Sequence, residues 1–217
     1  MQIAVTKTLK ENRIFIVLIL FMIVFRTSLA DWNSVPTGSM KPTIIEGDRI
    51  WVNKLAYDLR IPFTKVSLKK FSDPKRGDIV IFNSFKADKR LVKRVIGIPG
   101  DTISMVNNVI FLNGEPLNYK MIKQDSNQII LEEKLSASPH RIKWHQAAQN
   151  RFSNIPLVTV PENAYLVLGD NRDNSADSRF IGFVPRHEIL GRSRHVVMSL
   201  DYENYYLPRS ERFLHKL

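Results

Sequence analysis

Ser39 stands in Val35-Pro36-Thr37-Gly38-Ser39-Met40-Lys41-Pro42-Thr43, between a glycine and a flanking pair of prolines. Proline fixes φ at about −65° and excludes regular helix, while Gly38 is free to take backbone angles that other residues avoid. A serine on such a turn presents its hydroxyl and its own N–H. The same composition also describes an ordinary polar turn. Chemistry at Ser39 therefore depends on a base elsewhere in the chain that can take its proton.

Histidine is the usual base, backed by a carboxylate. His187 lies in Val184-Pro185-Arg186-His187-Glu188, a polar surface turn by pattern, and His195 opens a strand, where a structural role fits as well. Lysine is the other choice, on the condition that burial among apolar groups lowers its pKa from about 10.4 toward neutrality. Lys93 meets that condition best, because it lies inside the apolar run Leu91-Val92-Lys93-Arg94-Val95-Ile96. Strand alternation places Leu91, Lys93 and Val95 on one face and turns Arg94 away with Val92 and Ile96. Arginine could not replace the lysine, since it stays protonated. Lys54 in Val52-Asn53-Lys54-Leu55 is the second choice, and an edge or solvent-facing position remains open for either lysine.

A third stretch, Gly169 to Arg179 (GDNRDNSADSR), is too polar to be ordered without many hydrogen bonds. A calcium loop starting at Asp173 fails, because the EF-hand needs glycine at its sixth position and glutamate at its twelfth. Ser178 and Val184 stand there. The stretch reads as a surface loop, or as a structured one whose Asp, Arg, Asn and Ser side chains orient a neighbour.

The elements that must carry these groups follow from the rest of the chain. Its 217 residues suffice for one sizeable domain plus an anchor. With no cysteine, disulfides, thiol catalysis and cysteine-rich metal sites are excluded, and the five histidines lack metal-ligand spacing. No metal or other cofactor is implied. The net charge of +11 comes from scattered doublets such as Lys69-Lys70 and Lys93-Arg94, not a stripe interleaved with aromatics. That pattern points away from nucleic acid and suits an anionic lipid surface equally well.

Residues 14–25 form an unbroken apolar run behind Lys7, Lys10 and Arg13. They predict a transmembrane anchor over residues 13–30, with Arg26 snorkelling to the interface and residues 1–12 as a cytoplasmic tail. Ser28-Leu29-Ala30 also fits a secretory signal peptide's cleavage site. Either way, residues 31–217 cross the membrane. In that part, short strand-like runs at 48–55, 79–82, 91–96, 109–112, 164–168 and 195–200 alternate with Gly/Pro/Asn/Asp punctuation. Asn113-Gly114 marks a hairpin. With no long amphipathic helix, the fold class is mostly β. Residues 117–157 are polar and weakly patterned, and read as an inserted or variable subdomain.

Taken together, Pro36 to Thr43, Gly47-Asp48, Arg76-Gly77-Asp78, Lys93 to Asp101 and Gly169 to Arg179 resemble the bacterial type I signal peptidase family. They occur in that family's order behind an N-terminal anchor, over most of 31–116 and 160–200. The resemblance implies a signal-peptidase-like β-fold, a Ser–Lys dyad and cleavage of exported preproteins after small residues. By motif position, Ser39 matches the nucleophile and Lys93 the general base. Ser175 matches the serine that hydrogen-bonds and orients that base, and Asp177 with Arg179 a supporting pair. The Ser39 N–H and the position-37 hydroxyl match the oxyanion hole, with Thr37 where many members have serine. Threonine keeps the hydroxyl but is stiffer at χ1. Val35, Met40, Ile44, Leu91 and Val92 would line the shallow substrate groove. The implied setting is the bacterial inner membrane with the catalytic domain outside, the partners being preprotein signal peptides, membrane lipid and the secretion translocon. A maturation peptidase of a pilus or conjugation system would carry the same residues, and a non-catalytic membrane-anchored binding domain would not need them. A self-cleaving repressor would need a DNA-binding domain where this chain has an apolar segment.

Overall fold

The structure, a computed structural model, describes residues 12–64, 66–135, 138–145 and 153–217. Helix α1 covers Arg13–Val24, continues as one π-helical turn over Phe25–Leu29, and passes into strand β1 at Ala30. Twelve α-helical residues rise about 18 Å, against about 30 Å of membrane hydrocarbon. No helix among the described residues is long and apolar enough to cross a membrane. The helix is therefore shorter than the expected 13–30 segment, whose last residue belongs to the β-domain. Nearly all of the expected tail, residues 1–11, lies outside the described residues.

The β-domain is built on an eight-stranded sheet, ordered β1-β2-β16-β5-β6-β14-β15, with β17 added beside β16. These strands are Ala30–Ser34, Asp48–Asn53, Ile189–Asp201, Ile79–Ser84, Lys89–Gly97, Ala164–Leu168, Val184–Pro185 and Leu207–Pro208. Every pairing in it is antiparallel. Ile79, Ile81, Ile50, Val52, Val35, Met40, Ile44 and Val196 form one core cluster, and Val80, Phe82, Val95, Val167 and Ile189 belong to a second. Each such aliphatic side chain contributes ~1.5–3 kcal/mol on full burial. The alternation of Ile79-Val80-Ile81-Phe82 between the clusters shows why this run reads as continuously apolar: both its faces are covered.

Strands β7 (Thr102–Val106), β8 (Val109–Leu112), β9 (Glu115–Pro116) and β13 (Ile155–Thr159) make a second sheet, with β8 turning into β9 at Asn113-Gly114 as the dipeptide predicts. Residues 117–157 are structured where described. Strands β10 (Asn118–Gln124), β11 (Gln128–Lys134) and β12 (His140–His145) form a three-stranded antiparallel sheet. This sheet is tied to the Gly169–Arg179 stretch. Lys143 N donates to Asp170 O (2.8 Å), Arg172 N donates to Lys143 O (3.0 Å), and His145 N donates to Asp173 Oδ2 (2.7 Å). The weak pattern of the segment has a physical origin, since one side of it packs on polar groups.

Candidate active site

Ser39 lies in a single 3-10 turn, Gly38–Met40, entered from Thr37 in extended conformation (φ −132°, ψ 149°). The Thr37 side chain makes no capping bond to this turn, and the residue is exposed. Met40 and Val35 anchor the turn from below in the core, and Ile44 N donates to Met40 O at 2.9 Å. From above, Asn171 holds it twice: its backbone N donates to Ser39 O (3.1 Å) and its buried Nδ2 to Gly38 O (3.0 Å). Asn171 was not singled out in sequence. Its only signal was membership of the polar run, because the bonds it makes are to backbone and span 133 positions.

Lys93 is 2% exposed, and its Nζ lies 2.6 Å from Ser39 Oγ. Burial lowers its pKa to about 8, because removing water disfavours the ammonium. Asp177 and Asp170 oppose that shift, and Lys89 and Arg179 add to it. At pH 7 such a lysine is neutral in about one molecule in ten, against about four in ten thousand at the ordinary value. The pair is thus a hydroxyl beside an amine that has a usable unprotonated fraction, which is the requirement for nucleophilic attack by serine. Lys54, the second choice, is elsewhere. It follows the end of β2, and its Nζ donates to Arg26 O (2.6 Å) and Thr27 O (3.1 Å). His187 and His195 are both exposed and do not line the Ser39 groove.

The Gly169–Arg179 stretch is a buried loop, not a surface one: Asp170, Asn171, Arg172 and Asp177 are each at most 2% exposed. Asp177 closes it by accepting from Gly169 N (3.0 Å) and from Arg179 Nε (2.8 Å) and Nη2 (2.7 Å), while capping the short helix α2, Ser178–Ile181. Arg179 Nη2 also donates to Arg172 O (2.6 Å). Ser175 lines the groove together with Lys93, and its buried Oγ has no hydrogen-bond partner among the described residues. The bond to Lys93 implied by the resemblance is not formed; Lys93 Nζ is bonded to Ser39 Oγ.

Gly169 explains how loop and turn come so close. A Cβ there would sit 2.3 Å from Ser175 Oγ and 2.4 Å from the Ser39 carbonyl oxygen. The second neighbour is backbone, so it cannot rotate away. Gly169→Ala is expected to push the Ser39 turn out of register and, if Ser39 carries the chemistry, lower kcat/KM by about 100-fold or more, as a misplacement of order 1 Å does. Steady-state cleavage assays beside a thermal melt check this.

Behind the loop lies a cluster of buried charge. Arg94 is on the face of β6 opposite Lys93, as alternation requires, but that face is also buried: Arg94 is 5% exposed and grips Asp170 with Nε (2.8 Å) and Nη2 (2.7 Å). Thr43 Oγ1 donates to the same carboxylate at 2.5 Å. Burial would raise the Asp170 pKa, and Arg94, His140 and Thr43 outweigh it and hold it below the usual range. Arg172 Nη2 donates to Glu133 Oε1 at 2.6 Å, with both side chains fully buried. His140 Nε2 stands 3.3 Å from Glu133 and 3.9 Å from Asp170. Burial and Arg94 lower the His140 pKa, opposed by its two acidic neighbours. Glu133 and His140 come from β11 and β12, inside the weakly patterned stretch 117–157.

The groove beside Ser39 has a volume of about 460 Å³, and Val35, Met40, Leu91 and Val92 are among the side chains that line it, with Lys89 and Arg90 also present. Four of the five residues that the resemblance names for substrate contact therefore line one groove with Ser39. Ile44 is not among the lining residues: it is 0% exposed and supports Met40 from within the core cluster.

Residues 7–198 match the family model described as signal peptidase, peptidase S26. A signal peptidase I of Pseudomonas fluorescens is 34% identical over 204 residues, covering 85% of this chain and 70% of that protein. One of Pseudomonas aeruginosa is 33% identical over 201 residues with the same two coverages. One of Rickettsia bellii is 30% identical over 217 residues, covering 88% of this chain and 74% of its own length. With a serine and a lysine in contact where they line one groove and relatives of this kind along most of its length, the chain belongs to the signal peptidase family, peptidase S26, and is a serine endopeptidase of the signal peptidase I type.

Proposed function

We propose that this enzyme removes N-terminal signal peptides from exported preproteins through a Ser39–Lys93 dyad. The observation that carries the reading is the 2.6 Å contact between Ser39 Oγ and a lysine Nζ that is 2% exposed and has a pKa near 8. Neutral Lys93 takes the Ser39 proton as Oγ attacks the scissile carbonyl. The Ser39 N–H and Thr37 Oγ1 hold the developing oxyanion, each such donor being worth about 10²–10³ in turnover. The protonated amine then gives its proton to the leaving nitrogen, and a water activated by Lys93 hydrolyses the acyl-enzyme. Ser175 Oγ, buried and without a hydrogen-bond partner among the described residues, is available to accept from Lys93 once the amine becomes a three-donor ammonium. Asp177 and Arg179 keep the loop that carries Ser175 closed.

The groove accepts an extended peptide with small side chains next to the cut, and the apolar side chains Val35, Met40, Leu91 and Val92 that line it support this reading. The N-terminal segment, wholly apolar from Ile14 to Val24 and largely exposed in α1, is the membrane anchor in this reading, with the basic N-terminus inside and the β-domain outside. Substrates arrive embedded in the same membrane. Ser39→Ala, assayed on several unrelated preproteins, is expected to leave a folded protein with cleavage reduced at least about 10⁴-fold, on the scale of losing a catalytic nucleophile. Cleavage retained by that variant sinks the serine mechanism, and cleavage of a single preprotein by the wild type restricts the enzyme to a dedicated substrate.

A further inference from the structure

Where α1 meets the β-domain there is a second cavity, of about 590 Å³, separate from Ser39. Four cationic side chains line it, Arg26, Lys54, Arg60 and Arg90, and Asp31 is the only carboxylate among its lining residues. Asp31 lies 2.9 Å from Arg26 and about 4 Å from both Lys54 and Arg90, so one negative charge is shared among three positive ones. Arg60 spends Nη2 on Asp58 (3.0 Å) and Ile189 O (2.7 Å), while its Nε and Nη1 are buried with no hydrogen-bond partner among the described residues. Such donors are costly to leave unmet. Lys54 is depressed by burial, with Asp31 opposing and Arg90, Arg26 and Arg60 adding repulsion, so the cations feel one another.

The apolar surroundings identify what brings the missing negative charge. Ile23 and Arg26 also end a strip of α1 lined by Phe15, Leu18, Ile19 and Met22, where a further depression of about 420 Å³ runs along the helix. Exposed Phe63 lines the basic cavity, and exposed Trp32 and Trp51 stand side by side on β1 and β2, with Arg26 stacked 4.6 Å over the Trp32 ring. Aromatic side chains of this kind settle at the headgroup level of a membrane. A charged head beside an apolar strip suits a molecule built the same way.

Building on the membrane-anchored reading above, we propose that the basic cavity binds the phosphate headgroup of an anionic phospholipid, with an acyl chain laid along the Phe15–Met22 strip of α1. The bound lipid would link α1 to the turn after β2, to β3 (Asp58–Arg60) and to β6, and so fix the height of the Ser39 groove above the membrane.

The test uses the full chain in detergent, titrated with phosphatidylglycerol or phosphatidylcholine and read by native mass spectrometry, with flotation on phosphatidylcholine vesicles run beside it. One phosphatidylglycerol per chain is expected to bind in preference to phosphatidylcholine. Arg60→Gln and Arg26→Gln are each expected to weaken that binding about five-fold, the scale of one cation at an anionic surface. The control pair Lys120→Gln/Lys123→Gln, exposed on β10 and removing two positive charges instead of one, is expected to leave it unchanged. Equal binding of the two lipids overturns the proposal, as does equal weakening by the β10 pair, which would mean a diffuse charge effect. Full competition by inorganic phosphate overturns the lipid as occupant. Failure to float on phosphatidylcholine vesicles instead removes the anchor itself, and the lipid site with it. Flotation without lipid preference removes only the site. Arg26 is half-exposed, so its variant keeps the test open if Arg60→Gln fails to fold.

Discussion

Lys93→Arg is expected to reduce preprotein cleavage by about 10⁴-fold or more, although it keeps the positive charge and nearly the length of the side chain. The position is 2% exposed and faces Ser39 Oγ, so the property at stake is the ability to be neutral there. Burial brings lysine to a pKa of about 8, but guanidinium stays protonated under any condition the enzyme meets. Arginine would also present a rigid planar fork where the site holds a single nitrogen. The loss should appear in kcat/KM with the far-ultraviolet circular dichroism unchanged. Activity within ten-fold of wild type would return the role of base to His187 or His195, which both lie at the exposed surface.

Arg172→Met is expected to cost stability, about 3–5 kcal/mol, by leaving Glu133 as a fully buried carboxylate without its cation. In the wild type, burial works to raise the Glu133 pKa, and Arg172 and His140 reverse this and hold it well below the carboxylate range. For a domain of this size the loss corresponds to roughly 10 °C in Tm. Replacing both partners, Arg172→Met with Glu133→Leu, is expected to recover most of it, since an apolar pair of similar volume is often as stable as a buried ion pair. Thermal melts of the single and double variants measure this. The double variant also asks whether the charge cluster serves only stability. Arg172 sits in the same loop as Asn171 and Ser175, so recovered stability with lost cleavage would mean that the cluster sets the loop's register.

Ser39 and Lys93 were legible in sequence for different reasons. Lys93 was conspicuous because an isolated basic residue inside an apolar strand needs an explanation, and alternation located its face. Ser39 gained meaning only from its partners, since Gly, Pro and Ser on a turn are common. The polar loop was visible as a run, but its burial was not, because the groups that satisfy it are the backbone of the Ser39 turn and side chains from β11 and β12. Arg94 shows the same limit: alternation turned it away from Lys93 correctly, yet nothing local revealed Asp170 waiting on the other side. Strands β10 to β13 went unread because mixed polar positions there face other protein, which erases the two-residue period. Ile44 was assigned to the groove by position and belongs to the core, one layer beneath it.

The most direct measurement on the Ser39–Lys93 account is kcat/KM for one preprotein as a function of pH. On that account catalysis needs the unprotonated amine, so activity is lost as pH falls through the Lys93 pKa. The rate should drop about ten-fold per pH unit below an inflection near 8, and level off above it. An inflection near the ordinary histidine value of about 6.5, or a rate flat across that range, would contradict a lysine base.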